Sequence, residues 1–236
     1  MKNIYKYGLL LSFAALLLFA NRNKLKHYSK PVYRAHINNS EHIWGIDISH
    51  HQTKVDWDKL VKHNKPEFIF LKCTEGLSFK DNKYNFYKKE ATKREIVVGA
   101  YHFFSFKTSG KKQAEYFIKH SNLDKGDLIP VIDVEYPVKG KVPSKSKIAK
   151  EINAFSKVIE HKLGVKPIIY TGEHFYNRIL KGKFRNHKFW ISKMNREPNC
   201  NYSFWQYTDR GYVKGIGRVD NNRMKRGENL EKYILN

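Results

Sequence analysis

From Trp44 onward the chain alternates short β-branched or aromatic runs with amphipathic segments. Trp44–Ser49, Phe68–Thr74 and Val97–Phe104 read as strands, and each is followed by a helical pattern: Val55–Val61, Tyr84–Glu95, and a third through Gln113, Ala114, Phe117 and Ile118. A fourth run, Leu128–Glu135, is apolar and β-branched, as expected of a strand covered on both faces. After the Pro- and Lys-containing stretch Pro137–Lys145, the residues Ile148, Ile152, Phe155, Ile159 and Leu163 recur at helical spacing, predicting a helix from Ser146 to Leu163 that Gly164 stops. Lys166–Tyr170 begins a fifth strand. Beyond it the helical segments shorten: Phe189–Ser192 and Phe204–Tyr207 are strand-like, and the Gly-punctuated stretch Gly211–Asp220 suits a β-hairpin.

Regular βα alternation predicts parallel strands with helices outside, in an open doubly wound sheet or a barrel. The first βα junction carries no Gly-rich phosphate loop. It reads Asp47-Ile48-Ser49-His50-His51-Gln52, a polar cluster of the kind that lines a barrel mouth.

The N-terminus has a different character. Lys2 and Lys6 precede an uncharged apolar run from Gly8 to Ala20, the layout of an export signal. The run is shorter than the roughly 20 apolar residues that span a bilayer, and Leu18-Phe19-Ala20 is a poor cleavage sequence, so the alternatives are a cleaved signal peptide and an uncleaved membrane anchor. The expected division is a signal or anchor over 1–20, a basic polar linker over 21–41 and one folded domain over 42–236, exported as a monomer to the outside of the cell or its envelope.

With 236 residues and 14% aromatics the chain can bury a substantial core. Its formal charge of +23 points to a polyanionic partner. Neither a zinc-finger spacing nor an aromatic RNA-binding strand motif is present, so no specific nucleic-acid partner is expected, and for an exported protein an anionic cell-wall or envelope surface is the more economical one. Cys73 sits in an apolar run and Cys200 in a loop; neither has the spacing of a metal ligand, and no metal or other cofactor is expected.

The fourth run ends in two acids, Asp133 and Glu135. Side chains on a strand alternate, so both would share one face about 6–7 Å apart, close enough for each charge to influence the other's proton affinity. In a parallel barrel the C-terminal strand ends meet at one rim. There Asp47 from the first strand and Asp220 from the final hairpin would join them. Tyr101, Tyr170, Trp190 and the pair Trp205-Gln206 accompany the acids, and flat rings with an adjacent amide suit a sugar; His102 reads equally as a satisfied barrel histidine or a substrate contact. Clustered carboxylates without a Ser or Cys nucleophile motif point to glycosidic hydrolysis.

Six segments in order then carry a resemblance: Gly45-Ile46-Asp47-Ile48-Ser49-His50-His51-Gln52, Phe70-Leu71-Lys72-Cys73-Thr74-Glu75-Gly76, Gly99-Ala100-Tyr101-His102-Phe103, Asp133-Val134-Glu135, Phe204-Trp205-Gln206-Tyr207 and Gly215-Ile216-Gly217-Arg218-Val219-Asp220. From about Trp44 to Asn222 the sequence resembles the glycoside hydrolase family 25 lysozymes, the N-acetylmuramidases. The resemblance implies an irregular TIM-like (β/α) barrel with fewer than eight helices. It also implies cleavage of the β-1,4 bond between N-acetylmuramic acid and N-acetylglucosamine in peptidoglycan glycan strands. By that analogy Glu135 is the general acid, Asp133 the carboxylate that stays ionised beside the developing charge, and Asp47 and Asp220 the remaining family acids, which orient groups. Lys193-Met194 after the strand holding Trp190, and Asn221 in place of an apolar residue, depart from the family's pattern. A chitinase-like glycosidase and a non-catalytic cationic wall-binding protein are the competing readings.

Overall fold

The computed structural model describes residues 42–137 and 140–236. The segments expected to act as signal or anchor and as linker therefore lie outside the described residues. Among those described, no helix is long and apolar enough to cross a membrane.

Nine strands form one sheet: β1 (Trp44–Ile48), β2 (Phe68–Glu75), β3 (Phe79–Lys80), β4 (Val97–Phe103), β5 (Val131–Asp133), β6 (Ile168–Gly172), β7 (Phe189–Ser192), β8 (Phe204–Val213) and β9 (Gly217–Met224). Their order is β1-β9-β8-β7-β6-β5-β4-β2-β3, and β1 also pairs with β2, which closes an eight-stranded barrel with β3 as a short flap on β2. Strands β1, β2 and β4 to β8 run parallel; β9 is antiparallel to both β8 and β1. Barrel closure thus depends on the final hairpin.

The helices are α1 (Trp57–Asn64), α2 (Tyr84–Lys93), α3 (Gly110–Ser121), α4 (Lys145–Leu163) and α5 (Glu173–Phe175), the last continuing into a π-helical turn at Tyr176–Leu180. Local chemistry sets their ends. The Asp56 carboxylate accepts from Lys59 N at the start of α1, and Ser144 does the same for Lys147 N at the start of α4. Gly164, with φ of 73°, ends α4 where the sequence placed the stop. The periodic face of α4 buries Ile148, Ile152, Phe155 and Ile159. No helix separates β7 from β8, so the outer layer is thin where the helical pattern fades in the sequence.

Strand alternation builds two layers. Ile46, Ile48, Ile69, Leu71, Val98, Ala100, Ile132, Ile169 and Ile191 pack outward against the helices. The opposite faces fill the barrel with aromatics: Phe70 stacks on Trp190 at a centroid distance of 4.5 Å, and Phe204 meets both Phe68 and Phe70 at 5.3 Å. Two glycines make the room. A Cβ on Gly45 or Gly99 would come within 2.5 Å of the Phe68 or Phe70 ring.

Two expectations change in detail. The fourth strand is only Val131–Asp133, because Pro130 has no N–H to give to a ladder and the residues before it turn to the C-terminal segment: Ile129 N donates to Tyr233 O, and Leu128 bridges Ile234. Phe204–Tyr207 and the predicted hairpin form one unit, since β8 continues through two register shifts to Val213 before turning into β9.

Candidate active site

Four of the carboxylates singled out in the sequence belong to the same mouth. Asp47 stands near the end of β1 and is the register partner of Asp220 on antiparallel β9. Asp133 ends β5, and Glu135 follows it just beyond the strand, where Val134 N still donates to Tyr170 O. The interactions among them span the rim: Asp133 feels Glu135 and Asp47, and Glu135 feels Asp220.

Beneath the acids lies a buried polar chain that fixes Asp47. Its Oδ2 accepts from Gln206 Nε2 at 3.0 Å and from Asn222 Nδ2 at 2.7 Å. Gln206 Oε1 in turn accepts from the Tyr170 hydroxyl at 2.9 Å, and Asn222 Oδ1 from Trp190 Nε1 at 2.8 Å. Five residues on β1, β6, β7, β8 and β9 are therefore locked to one another, with Asp47 at the centre.

Desolvation dominates the electrostatics. Burial, followed by the nearby Asp220 charge, holds the Asp47 carboxyl well above the ordinary carboxylate range. Burial also raises Asp220, with Asp209 adding to the effect. Glu135 is half-buried and is raised first by burial and then by Asp220, while Lys72 pulls it down. Asp133 is pushed well above the ordinary range by burial and then by Glu135. The sequence reading expected Asp133 to stay ionised and to act on Glu135. Both carboxyls are raised, and Asp133 is the deeper of the two: it is enclosed, and its Oδ1 has no hydrogen-bond partner among the described residues.

The aromatic candidates divide. Tyr101 is half-buried, and burial followed by the Asp47 and Asp133 charges raises its hydroxyl well above the usual tyrosine range. Tyr170 and Trp190 form the floor; Trp190 is 2% exposed, with Phe70 on its face and Tyr170 at 4.4 Å, so it offers no free ring face to a sugar. Trp205 departs from expectation. It alternates with Gln206 on β8 and so packs in the outer layer, donating to Lys193 O and lying 4.0 Å beneath the Arg223 guanidinium. His102 is a core residue: its Nδ1 meets Thr74 Oγ1 at 2.8 Å and its Nε2 meets Gln113 Oε1 at 3.0 Å, with burial holding the ring down at about 4.

Sequence reasoning passed over Lys72. Its ammonium pairs with Glu75 at 2.7 Å, sits 5.0 Å from the Phe103 ring and 5.2 Å from the Phe79 ring, and lowers the proton affinity of both Asp133 and Glu135. The signal was its place two residues beyond Phe70, on the inward face of β2. Among the described residues no group of three or more His, Cys, Asp or Glu side chains could hold a metal ion.

The model of the glycosyl hydrolases family 25 matches residues 46–216 of this chain. The chain is 35% identical over 189 residues to "Uncharacterized protein YegX" of Escherichia coli (strain K12), covering 76% of this chain and 68% of that protein. It is 32% identical over 207 residues to the N,O-diacetylmuramidase of Arthroderma benhamiae, covering 80% and 87% respectively. The structure of a family 25 glycosyl hydrolase from Bacillus anthracis superposes with a TM-score of 0.74 at 34% identity, covering 81% of this chain and 91% of that one.

Proposed function

Because this chain belongs to the glycosyl hydrolases family 25 and is thereby a glycoside hydrolase of lysozyme type, we propose that it is a muramidase cleaving the β-1,4 bond between N-acetylmuramic acid and N-acetylglucosamine in peptidoglycan. The observation that supports this reading is the gathering of Asp47, Asp133, Glu135 and Asp220 at one barrel mouth over a fixed polar floor.

In this reading Glu135 is the general acid. It lies nearest the open cleft of the Asp133/Glu135 pair, and its raised proton affinity is what a donor to a leaving-group oxygen needs near neutral pH. Asp133 supplies the opposing charge. Its unpartnered Oδ1 can accept the acetamido N–H of the bound sugar, and positive charge developing on the ring favours its ionised form against the burial that opposes it. Asp47 and Asp220 orient groups at the base of the cleft. Export through the N-terminal segment would bring a chain of net charge +23 to an anionic wall, where attraction concentrates it on its substrate.

Clearing of a purified peptidoglycan suspension by the wild type and by Glu135→Gln tests the reading. The expected result is clearing by the wild type, a loss of about 10²–10⁴-fold in the variant, and fragments with new N-acetylmuramic acid reducing ends. N-acetylglucosamine reducing ends would replace the muramidase with a glucosaminidase. Equal clearing by both proteins would remove Glu135 from its role, and binding without clearing by either would leave a wall-binding protein.

A further inference from the structure

Just past β1, the turn at Ser49–Gln52 is tied down on every side. Ser49 N donates to Gln52 Oε1 at 2.9 Å, Gln52 N to Ser49 O at 3.1 Å, and the Tyr87 hydroxyl to Gln52 O. His50 projects from this turn. Its backbone N–H and its ring Nδ1 both meet the same oxygen, Asp81 Oδ2, at 2.9 and 2.8 Å. The Asp81 side chain is wholly buried, and its other oxygen accepts from Lys83 N at 2.9 Å.

In the neutral ring, donation from Nδ1 to the buried Asp81 carboxylate leaves Nε2 as an acceptor pointing away from Asp81. Nε2 has no hydrogen-bond partner among the described residues, and the side chain is 30% exposed. The ring stands 4.1 Å from His51 and 5.3 Å from Phe79, whose own ring is 37% exposed. Phe79 is 5.2 Å from the ammonium of Lys72, the cation that acts on Asp133 and Glu135. His50 therefore stands on the rim of the same mouth, three residues beyond Asp47.

We propose that His50 is a substrate-binding residue: with its orientation fixed by Asp81, its Nε2 accepts a hydrogen bond from a hydroxyl or acetamido N–H of an N-acetylated hexosamine unit in the cleft. The proposal rests on the muramidase reading for the identity of the glycan. A free, oriented acceptor beside an exposed ring face is the combination that recognises a sugar, with its apolar C–H face and its polar edge. Holding Asp81 alone would require only the backbone N–H and a short amide.

The test is His50→Asn with a soluble oligomer of alternating N-acetylglucosamine and N-acetylmuramic acid. Asparagine keeps a donor toward Asp81 and loses the acceptor at Nε2. KM should rise about 3- to 10-fold, the loss of one neutral hydrogen bond, with kcat within about twofold and the melting temperature held. An unchanged KM, or a fall in kcat with KM held, overturns the proposal. A second measurement reads the contact without substitution at position 50: in Glu135→Gln, the His50 Nε2 nitrogen resonance should shift when the oligomer is added, and an unmoved signal under saturation overturns the proposal. If the wild type binds the oligomer without cleaving it, the muramidase reading fails while the resonance still decides the role of His50.

Discussion

Asp47 and Asn222 are 175 residues apart in sequence, yet Asn222 Nδ2 donates to Asp47 Oδ2 across 2.7 Å. The bond forms because β9 runs antiparallel to β1 and pairs Gly45 with Asn222 and Asp47 with Asp220. The strand that closes the barrel therefore also positions an acid of the cleft.

Replacing Asn222 with Ala should loosen that acid. The change deprives Asp47 of one donor and Trp190 Nε1 of its acceptor, both in buried surroundings, at a cost of about 1–3 kcal/mol. Thermal unfolding should show the melting temperature falling by roughly 2–4 °C for each kcal/mol lost. Turnover should fall about tenfold or more as Asp47 loses its orientation.

Asp47→Asn should have the opposite effect on stability. The folded-state proton affinity of Asp47 is raised by burial and by Asp220, so at pH between its ordinary value of 3.8 and the raised value the native state holds a proton the unfolded chain lacks. Stability is thus lost as pH rises through that window. The Asn side chain can still accept from Gln206 and Asn222 while carrying no charge. A higher melting temperature than wild type is expected at pH 7, with the gain shrinking as pH falls toward 3.8, together with reduced activity. A variant no more stable than wild type at pH 7 would show that the burial of the Asp47 charge and its repulsion by Asp220 are fully offset in the fold.

The Lys72 ammonium holds down the proton affinity of both Asp133 and Glu135. In Lys72→Met both should rise, so both limbs of the pH profile of kcat/KM move to higher pH, the basic limb following Glu135. Glu75 is left without its partner but is sufficiently exposed to be hydrated, so folding should be retained. A profile that loses height without moving would argue that Lys72 contacts substrate instead of tuning the acids.

Gly110 packs where α3 meets α4. A Cβ there would fall 2.0 Å from the backbone oxygen of Glu151, and Gly110 N donates to the Glu151 carboxylate at 2.8 Å. Gly110→Ala should destabilise by about 1–3 kcal/mol or more in urea unfolding. Gly172→Ala, where a Cβ meets nothing within 4 Å, should stay within about 0.5 kcal/mol of wild type. Equal midpoints for the two variants would mean that the helices can separate at little cost.

The alternation of parallel strands and helices was legible in advance because hydrophobic period is a local property, although period alone left an open sheet and a barrel both possible. Apolar runs from Trp44 to Tyr170 announced parallel strands, Gly164 marked a helix end, and the fading of helical patterns after Tyr170 anticipated a thin wall between β7 and β8. Where a strand stops is less local. Leu128–Glu135 has strand composition throughout, but Pro130 and the pairing with the C-terminal segment leave three residues in the ladder, and Glu135 falls beyond it. Trp205 has a related cause: alternation places it and Gln206 on opposite faces of β8, but which face meets the cleft was fixed only when Gln206 reached Asp47 from across the barrel.

Residue type and spacing thus determined the βα alternation and the acids available, and six ordered motifs carried the resemblance to the family and its barrel, because periodicity, turn chemistry and motif order are written along the chain. Which acids share an enclosure, which is deepest and which cation acts on them were decided only when β9 closed the barrel. Proton affinity depends on solvent exclusion and on the distance between charges, both of which arise from strands brought together across the whole length of the chain.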